Sequence, residues 1–106
     1  MNKFDLKNKN AIVTGGAQGF GLNIAKKFLE SGAKVIIWDI DQNELKKASK
    51  LLNNQNLSFE VVDVTDPKII DSVVKKITTN SKIDILINNA GTVSYTHLTL
   101  PTIYSV

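Results

Sequence analysis

The chain has 106 residues, 42% of them hydrophobic and 22% charged, which is typical of one globular domain. No apolar run is long enough to cross a membrane, and the polar N-terminus does not resemble a secretion signal. The sequence contains no cysteine, which excludes disulfides and thiolate metal sites. We therefore expect a cytoplasmic protein with no metal site and no membrane partner.

The net charge of +3 comes from 13 basic residues, all of them Lys, and 10 acidic ones. The lysines are scattered along the chain instead of forming a stripe. A nucleic-acid surface usually has such a stripe, with Arg for phosphate contacts and interleaved aromatic residues. The charge pattern therefore argues against a nucleic-acid partner.

The first predicted elements are a strand and a helix. Residues 10–14 are a short apolar run, and "GGAQGFG" follows directly. Phe20, Ile24 and Phe28 then recur at a spacing of four, with Ala25 and Leu29 beside them, which predicts a helix from Gly19.

A second strand and helix follow. Gly32 stands where a glycine commonly ends a helix, and residues 34–38 are a continuously apolar strand, as expected when both faces are covered. Asp41 and Glu44 form an Asp-x-x-Glu capping box that predicts the start of a second helix. Residues 57–64 are predicted to be the third strand.

Asp66 and Pro67 predict the cap and first position of a third helix, and residues 83–87 predict a fourth strand. The order is therefore β-α-β-α-β-α-β. This alternation predicts an α/β fold with a parallel sheet and helices on both faces. We expect the fourth strand to form an exposed apolar edge.

A glycine-rich loop joins the first strand to the first helix. Its spacing is Gly-x-x-x-Gly-x-Gly over Gly15, Gly19 and Gly21, not the common Gly-x-Gly-x-x-Gly. Between a strand and a helix, such a loop places backbone N–H groups and the positive helix end against a phosphate. The alternative is a glycine-rich turn that binds nothing.

Asp39 directly follows the second strand. A carboxylate there can accept hydrogen bonds from both ribose hydroxyls of an adenosine, and it repels a 2′-phosphate. The alternative is a loop acid or helix cap, but Asp41 is better placed as the cap. Because the chain has no Arg, and Gln18 in the loop is neutral, the sequence favours NAD over NADP.

Polar residues also follow the third and fourth strands. Asp63 could accept from an adenine amino group with Val64 beside it, although a solvated strand-end acid is the alternative. The segment "NNAG" (88–91) follows the fourth strand, where such sheets bind ligands. The alternative for Asn88 and Asn89 is an Asx turn.

Four segments in this order resemble the short-chain dehydrogenase/reductase family, in its classical branch. They are "TGGAQGFG" (14–21), "WDID" (38–41), "DVTD" (63–66) and "NNAG" (88–91). The resemblance covers residues 8–92 and implies the N-terminal half of a doubly wound Rossmann sheet that binds NAD.

The resemblance also implies roles for individual residues. Asp39 would hold the ribose, and Asp63 and Val64 would meet the adenine. The implied pyrophosphate-lining residues are Thr14, Gly15, Gln18, Gly19, Phe20 and Gly21. Asn88, Asn89, Ala90 and Gly91 would lie along the adenosine ribose and the sheet.

The family transfers a hydride between nicotinamide and an alcohol or carbonyl carbon, using a Ser, a Tyr and a Lys four residues after that Tyr. In this chain Tyr95 is followed at that distance by Thr99, and no Lys occurs after Lys82. We therefore assign no catalytic residue and expect this polypeptide to be inactive. The full-length protein would act on a small alcohol or carbonyl substrate, as a homo-oligomer.

The tail differs from the rest of the chain, since residues 92–106 contain no charge. "VSYTHLTLPT" (93–102) back-translates to a sequence that resembles the transposase end and adapter of sequencing libraries. We expect an NAD-binding half-domain over residues 1–92 and a non-native tail over 93–106. A natural β-hairpin or loop is the alternative.

Two other functions compete with the dehydrogenase hypothesis. A non-catalytic NAD-binding or sensing module would share the nucleotide site but lack the Tyr–Lys pair downstream. A Rossmann-like methyltransferase half is the third, and both the glycine spacing and "NNAG" argue against it.

Overall fold

A computed structural model describes residues 5–90 and the backbone of 103–105, and it confirms the predicted alternation of strands and helices. One short strand follows the predicted elements. The elements are β1 (Asn10–Thr14), α1 (Gly19–Glu30), β2 (Lys34–Asp39), α2 (Gln42–Leu52), β3 (Leu57–Val61), α3 (Pro67–Thr78), β4 (Ile85–Asn88) and β5 (Ile103–Ser105).

The strands form one parallel sheet in the order β3-β2-β1-β4-β5. The chain moves outward from β1 to β3 and then crosses back to β4. Thr14 at the end of β1 is in register with Trp38 of β2 and with Asn88 of β4. The strand order therefore reverses between β1 and β4, and doubly wound sheets bind ligands in the crevice at that point.

The expectation that β4 forms the open edge is wrong, because β5 pairs with it in parallel. Leu86 is in register with Ile103, and Asn88 with Ser105. The segment Ile103–Ser105 is too short and too distant in sequence for its local pattern to indicate a partner. It lies within the range expected to be a non-native tail.

Helices cover both faces of the sheet. Val13 and Ile37 point to the face covered by α1 and α2, where they pack with Leu45. Trp38 and Leu86 point to the face covered by α3. Each fully buried large side chain contributes about 1.5–3 kcal/mol, so these two cores, more than helix propensity, hold the helices on the sheet.

The helix termini follow the sequence signals. The side chain of Asp41 accepts from two first-turn N–H groups of α2 at 3.0 and 3.1 Å. Asp66 caps α3 in the same way, with Pro67 at its first position. Gly32 follows the end of α1 with a φ of +93°, as expected of a helix-ending glycine.

The apolar residues predicted for α1 pack against the core of the sheet, except Phe20. Gly21, Ala25 and Leu29 are buried against the sheet, whereas Phe20 is 65% exposed. Phe20 belongs to the first helical turn, at the carboxyl edge of the sheet. The small residues of α1 allow the helix to approach the sheet closely.

Two strands differ in extent from the prediction. The third, predicted over residues 57–64, ends at Val61, whose ladder partner Asp39 is the last residue of β2. The fourth was predicted from Ile83 and begins at Ile85. Ile83 is nevertheless buried in the core beneath α3.

Candidate functional site

The residues singled out in the sequence converge on the carboxyl edge of the sheet. Thr14, Asp39 and Asn88 are the last residues of β1, β2 and β4, and Asp63 follows β3. The backbone N–H of Val62 donates to the carbonyl oxygen of Asp39 at 2.9 Å, which places the ends of β2 and β3 side by side. A single edge therefore carries the whole predicted set within the described residues.

The glycine loop has backbone conformations that only glycine adopts readily. Gly15 has a φ of +62° and Gly19 a φ of +59°. A Cβ atom added to Gly19 would meet no heavy atom within 4 Å, so the loop presents bare backbone to open space there. That is the arrangement a phosphate group needs for close approach.

Gly21 is required for a different reason, which is packing. A Cβ atom there would collide with the carbonyl oxygen of Gly15 and lie 2.8 Å from Nδ2 of Asn89. Gly16 was not among the site residues expected from the sequence, yet a Cβ atom there would lie 2.7 Å from the Cβ of Ile37 on β2. Gly16 lets the loop lie directly on the sheet, and its only sequence signal is its position beside Gly15.

The N-terminus of α1 has no side-chain cap. Gln18 is the N-cap residue, but its exposed side chain makes no capping hydrogen bond, and the first turn contains no acidic residue. The other two helices differ, since Asp41 and Asp66 cap them. The free N–H groups and the positive end of the helix dipole therefore favour an anion at this end of α1.

The hydroxyl of Thr14 joins β1 to the segment after β4. Thr14 is fully buried, and its Oγ1 accepts from the backbone N–H groups of Asn89 at 3.0 Å and Ala90 at 3.1 Å. The same hydroxyl is also a donor, and its oxygen lies 3.4 Å from the carbonyl oxygen of Ile87 and 3.3 Å from Oδ1 of Asn88. Thr14 therefore positions the residues around the site and has no surface of its own in it.

The two asparagines at the end of β4 have structural contacts. Asn88 is buried, and its Oδ1 accepts from the hydroxyl of Thr14 at 3.3 Å. Asn89 donates from Nδ2 to the carbonyl oxygen of Gly15 at 3.2 Å, which fixes the glycine loop to the end of β4. Ala90 is exposed at this edge, and the implied site residue Gly91 lies outside the described residues.

The carboxylate of Asp39 is held by two backbone N–H groups. Ala17 in the glycine loop donates to Oδ2 at 3.3 Å, and Asp41 donates to Oδ1 at 3.2 Å. The capping box predicted for α2 is therefore only half correct. In such a box the side chain of Glu44 would accept from the backbone N–H of Asp41, but that N–H donates to Asp39. Glu44 instead pairs with Lys47 at 3.4 Å. The Asp39 carboxylate is fixed beside the glycine loop.

Asp63 and Val64 follow β3 next to Asp39. Oδ1 of Asp63 accepts from the hydroxyl of Thr65 at 2.6 Å and from its backbone N–H at 2.9 Å. These two hydrogen bonds, the hydroxyl first, hold the pKa of Asp63 below its usual value of 3.8. Val64 is half-buried and packs against the core that contains Trp38.

The geometry has the features needed to bind a dinucleotide. Bare backbone and an uncapped helix N-terminus offer donors to phosphates, while the fixed Asp39 carboxylate offers acceptors to hydroxyl groups nearby. Within the described residues, no group of three His, Cys, Asp or Glu side chains could hold a metal ion. The helices of the described segments are all too short or too polar to span a membrane.

A cavity of about 370 Å³ lies at the opposite, amino edge of the sheet. Its lining includes Ile12, Ile36, Asn56, Ile77 and Ile83. Because it is at the other end of the strands, this cavity is separate from the carboxyl-edge site.

Comparisons with known proteins agree with this geometry. The model of the short chain dehydrogenase family matches residues 9–103. The chain is 42% identical over 90 residues to a 3-oxoacyl-[acyl-carrier-protein] reductase FabG of Chlamydia muridarum, covering 81% of this chain and 36% of that protein. It is 35% identical over 91 residues to a 3alpha-hydroxysteroid dehydrogenase of Mediterraneibacter gnavus, and this match again covers 81% of this chain and 36% of that protein.

A solved structure also matches the fold. The 2-keto-3-deoxy-D-gluconate dehydrogenase of Streptococcus agalactiae superposes with a TM-score of 0.75 at 38% identity, over 87% of this chain and 36% of that one. The chain thus spans about a third of the length of these relatives.

Proposed function

The chain belongs to the short-chain dehydrogenase family, and we propose that it forms the NAD(H)-binding half of an oxidoreductase of that family. The whole enzyme would transfer a hydride between nicotinamide and the carbon of an alcohol or carbonyl substrate. When bound, the nicotinamide would accept or donate that hydride, and the residues of this chain would bind and orient the dinucleotide.

The pyrophosphate would lie against the N-terminus of α1. The uncapped N–H groups of its first turn would donate to phosphate oxygens, and the open space at Gly19 leaves room for them. Gln18 and Phe20, both exposed beside Gly19, would flank the phosphates. Thr14 and Asn89 would act indirectly by fixing the loop.

The observation that carries the choice of NAD is the fixed carboxylate of Asp39. Its oxygens would accept hydrogen bonds from the 2′- and 3′-hydroxyls of the adenosine ribose. A 2′-phosphate in the same place would meet a negative charge that the Ala17 and Asp41 N–H groups prevent from swinging away. The chain contains no Arg to bind that phosphate.

The remaining parts of the proposal concern the whole protein. Its substrate is a small molecule with an alcohol or carbonyl group, as in the names of the hydroxysteroid and the keto-deoxygluconate dehydrogenases among its relatives. We propose that it works as a cytoplasmic homo-oligomer, and that residues 1–92 are the native NAD-binding half whereas 93–106 are a non-native tail.

The test measures by calorimetry how tightly NADH and NADPH bind to the native chain and to Asp39→Ala. We expect the native chain to prefer NADH by at least about tenfold, since one unfavourable charge contact costs on the order of 1.4 kcal/mol or more. Asp39→Ala should reduce that preference mainly by improving NADPH binding. A native chain that binds NADPH more tightly would refute the assignment.

A further inference from the structure

The cavity at the amino edge of the sheet lies beside α3, on the face that this helix covers. Its apolar floor includes Ile12, Ile36, Ile77 and Ile83. Ile12 and Ile83 are buried, whereas Ile36 is only half-buried although strands flank β2 on both sides. Two residues further along β2, Trp38 on the same face is fully buried. The core beneath α3 therefore closes over the carboxyl half of β2 and leaves part of its amino half open.

An ion pair connects α3 to β3 beside this amino-edge cavity. Nζ of Lys76 on α3 lies 2.9 and 3.0 Å from the two carboxylate oxygens of Glu60 on β3. Lys76 directly precedes Ile77, and Glu60 lies two residues after Ser58, so each partner is close in sequence to a residue that lines the cavity. The pair therefore holds the helix and the strand that enclose the cavity, and it neutralises the carboxylate next to it.

Most polar residues around the apolar floor have no partner among the described residues. Asn10 is the exception, because its Nδ2 donates to the carbonyl oxygen of Lys82 at 2.7 Å. Nζ of Lys34 forms no ion pair with a described residue. The side chains that make no hydrogen bond within the described part of the chain are those of Gln55, Asn56, Ser58 and Ser81. The described lining thus contains one cation, no Asp or Glu, and several free donors.

We propose that the amino-edge cavity binds a medium-length alkyl monocarboxylate, with its alkyl chain over Ile36 and Ile77 and its carboxylate at Nζ of Lys34. The volume of about 370 Å³ lies within the range of about 300–1,000 Å³ that is typical of small-molecule sites. An apolar floor with a few polar groups at its rim is also the usual lining of such sites. This site lies at the opposite edge from the proposed dinucleotide site and does not depend on it.

The charges at this edge favour a singly charged head group. A neutral lipid would leave the Lys34 ammonium without a counter-charge, whereas a phosphate would bring more negative charge than this one cation balances. The C-terminal end of α3 also lies here, and its partial negative charge opposes a multiply charged anion. Its effect on a monocarboxylate is smaller, because the carbonyl oxygen of Ile77 already accepts from the N–H of Ser81 at 3.1 Å.

The test is an amide NMR titration of the isotope-labelled chain with sodium octanoate and, separately, with octan-1-ol, which carries no charge. Octanoate should shift the amides of Ile36, Asn56 and Ser58 to saturation, while Phe20 at the carboxyl edge does not move. Octanoate should bind about two- to fivefold more tightly than octan-1-ol, which is the effect of one exposed ion pair.

Three variants separate the parts of the site. Lys34→Gln removes the cation and should reduce the affinity for octanoate to that for octan-1-ol. Lys68→Gln is the matched control, since it removes an exposed Lys of α3 that does not line the cavity, and it should keep the native ratio. Ser58→Tyr places an aromatic ring beside Ile36, its register partner on β2, and should abolish the binding of both probes.

Several results would overturn the proposal. One is the absence of a saturable shift at the cavity, and another is a native ratio of affinities in Lys34→Gln. Shifts at Phe20 and Ile40 as large as those at Asn56 would show that the probes bind exposed apolar side chains in general. Self-association of the native chain that Ser58→Tyr prevents, measured by analytical ultracentrifugation, would assign this face to a second copy instead. NADH binding, measured in parallel, tests the opposite edge, so the two proposals can fail separately.

Discussion

Replacement of Thr14 by Val should destabilise the chain strongly, although the two side chains have nearly the same shape. The hydroxyl accepts from the N–H groups of Asn89 and Ala90 and contacts two oxygens of β4 as a donor. Valine leaves both N–H groups without that acceptor.

Each donor left unpaired costs about 1–3 kcal/mol, and the lower half of that range applies because both N–H groups are only part-buried. The expected loss is therefore about 2–4 kcal/mol in the free energy of unfolding. In a domain of this size such a loss lowers the Tm by roughly 10–20 °C.

The assay is urea unfolding followed by the fluorescence of Trp38, the single tryptophan, which is fully buried. Thr14→Ser is the matched control, since it keeps the hydroxyl and should lose much less stability. A free energy of unfolding for Thr14→Val within about 0.5 kcal/mol of the native chain, the usual spread of neutral substitutions, would contradict this role of the hydroxyl. Equal losses in the Ser and Val variants would refute it as well.

Three further changes test separate parts of the structure. Gly21→Ala would press a methyl group against the Gly15 carbonyl oxygen. It should therefore lower the free energy of unfolding by at least about 2 kcal/mol and weaken NADH binding, and an unchanged midpoint of urea unfolding would contradict this packing. Trp38→Phe removes a buried indole N–H that has no hydrogen-bond partner among the described residues, which offsets the loss from the smaller ring. The free energy of unfolding should therefore stay within about 1 kcal/mol of native, and a loss of about 3 kcal/mol would contradict this expectation. Asp63 has a lowered pKa in the folded chain, so its contribution is present above its ordinary pKa of 3.8 and disappears as the pH falls through the lower folded value. Asp63→Asn should therefore flatten the acid limb of a stability–pH curve below that pH, and an unaltered limb would contradict the hydrogen bonds from Thr65.

The sequence predicts the elements and the strand-end residues because their signals are local. Asp41 and Asp66 act as caps through hydrogen bonds to residues two and three positions ahead, so their spacing is sufficient. Asp39 and Asp63 lie at the same edge of the sheet because parallel strands bring their carboxyl ends together.

Other features depend on contacts between distant segments, which no local pattern contains. Gly16 is needed because of Ile37 on the neighbouring strand, and the exposure of Phe20 depends on where α1 meets the end of the sheet. The second hydrogen bond of Asp39 comes from Ala17, 22 residues earlier. The pairing of β5 with β4 is likewise visible only in three dimensions.

The most direct test of the NAD site is a titration of the isotope-labelled chain with NAD⁺, followed by amide NMR. We expect the largest shifts at Gly19, Phe20 and Gly21, whose N–H groups begin α1, with smaller ones around Asp39. Asn56, at the amino-edge cavity, should not move. Shifts confined to that cavity, or no shifts at saturating NAD⁺, would contradict the proposal that the carboxyl edge of this sheet binds the dinucleotide.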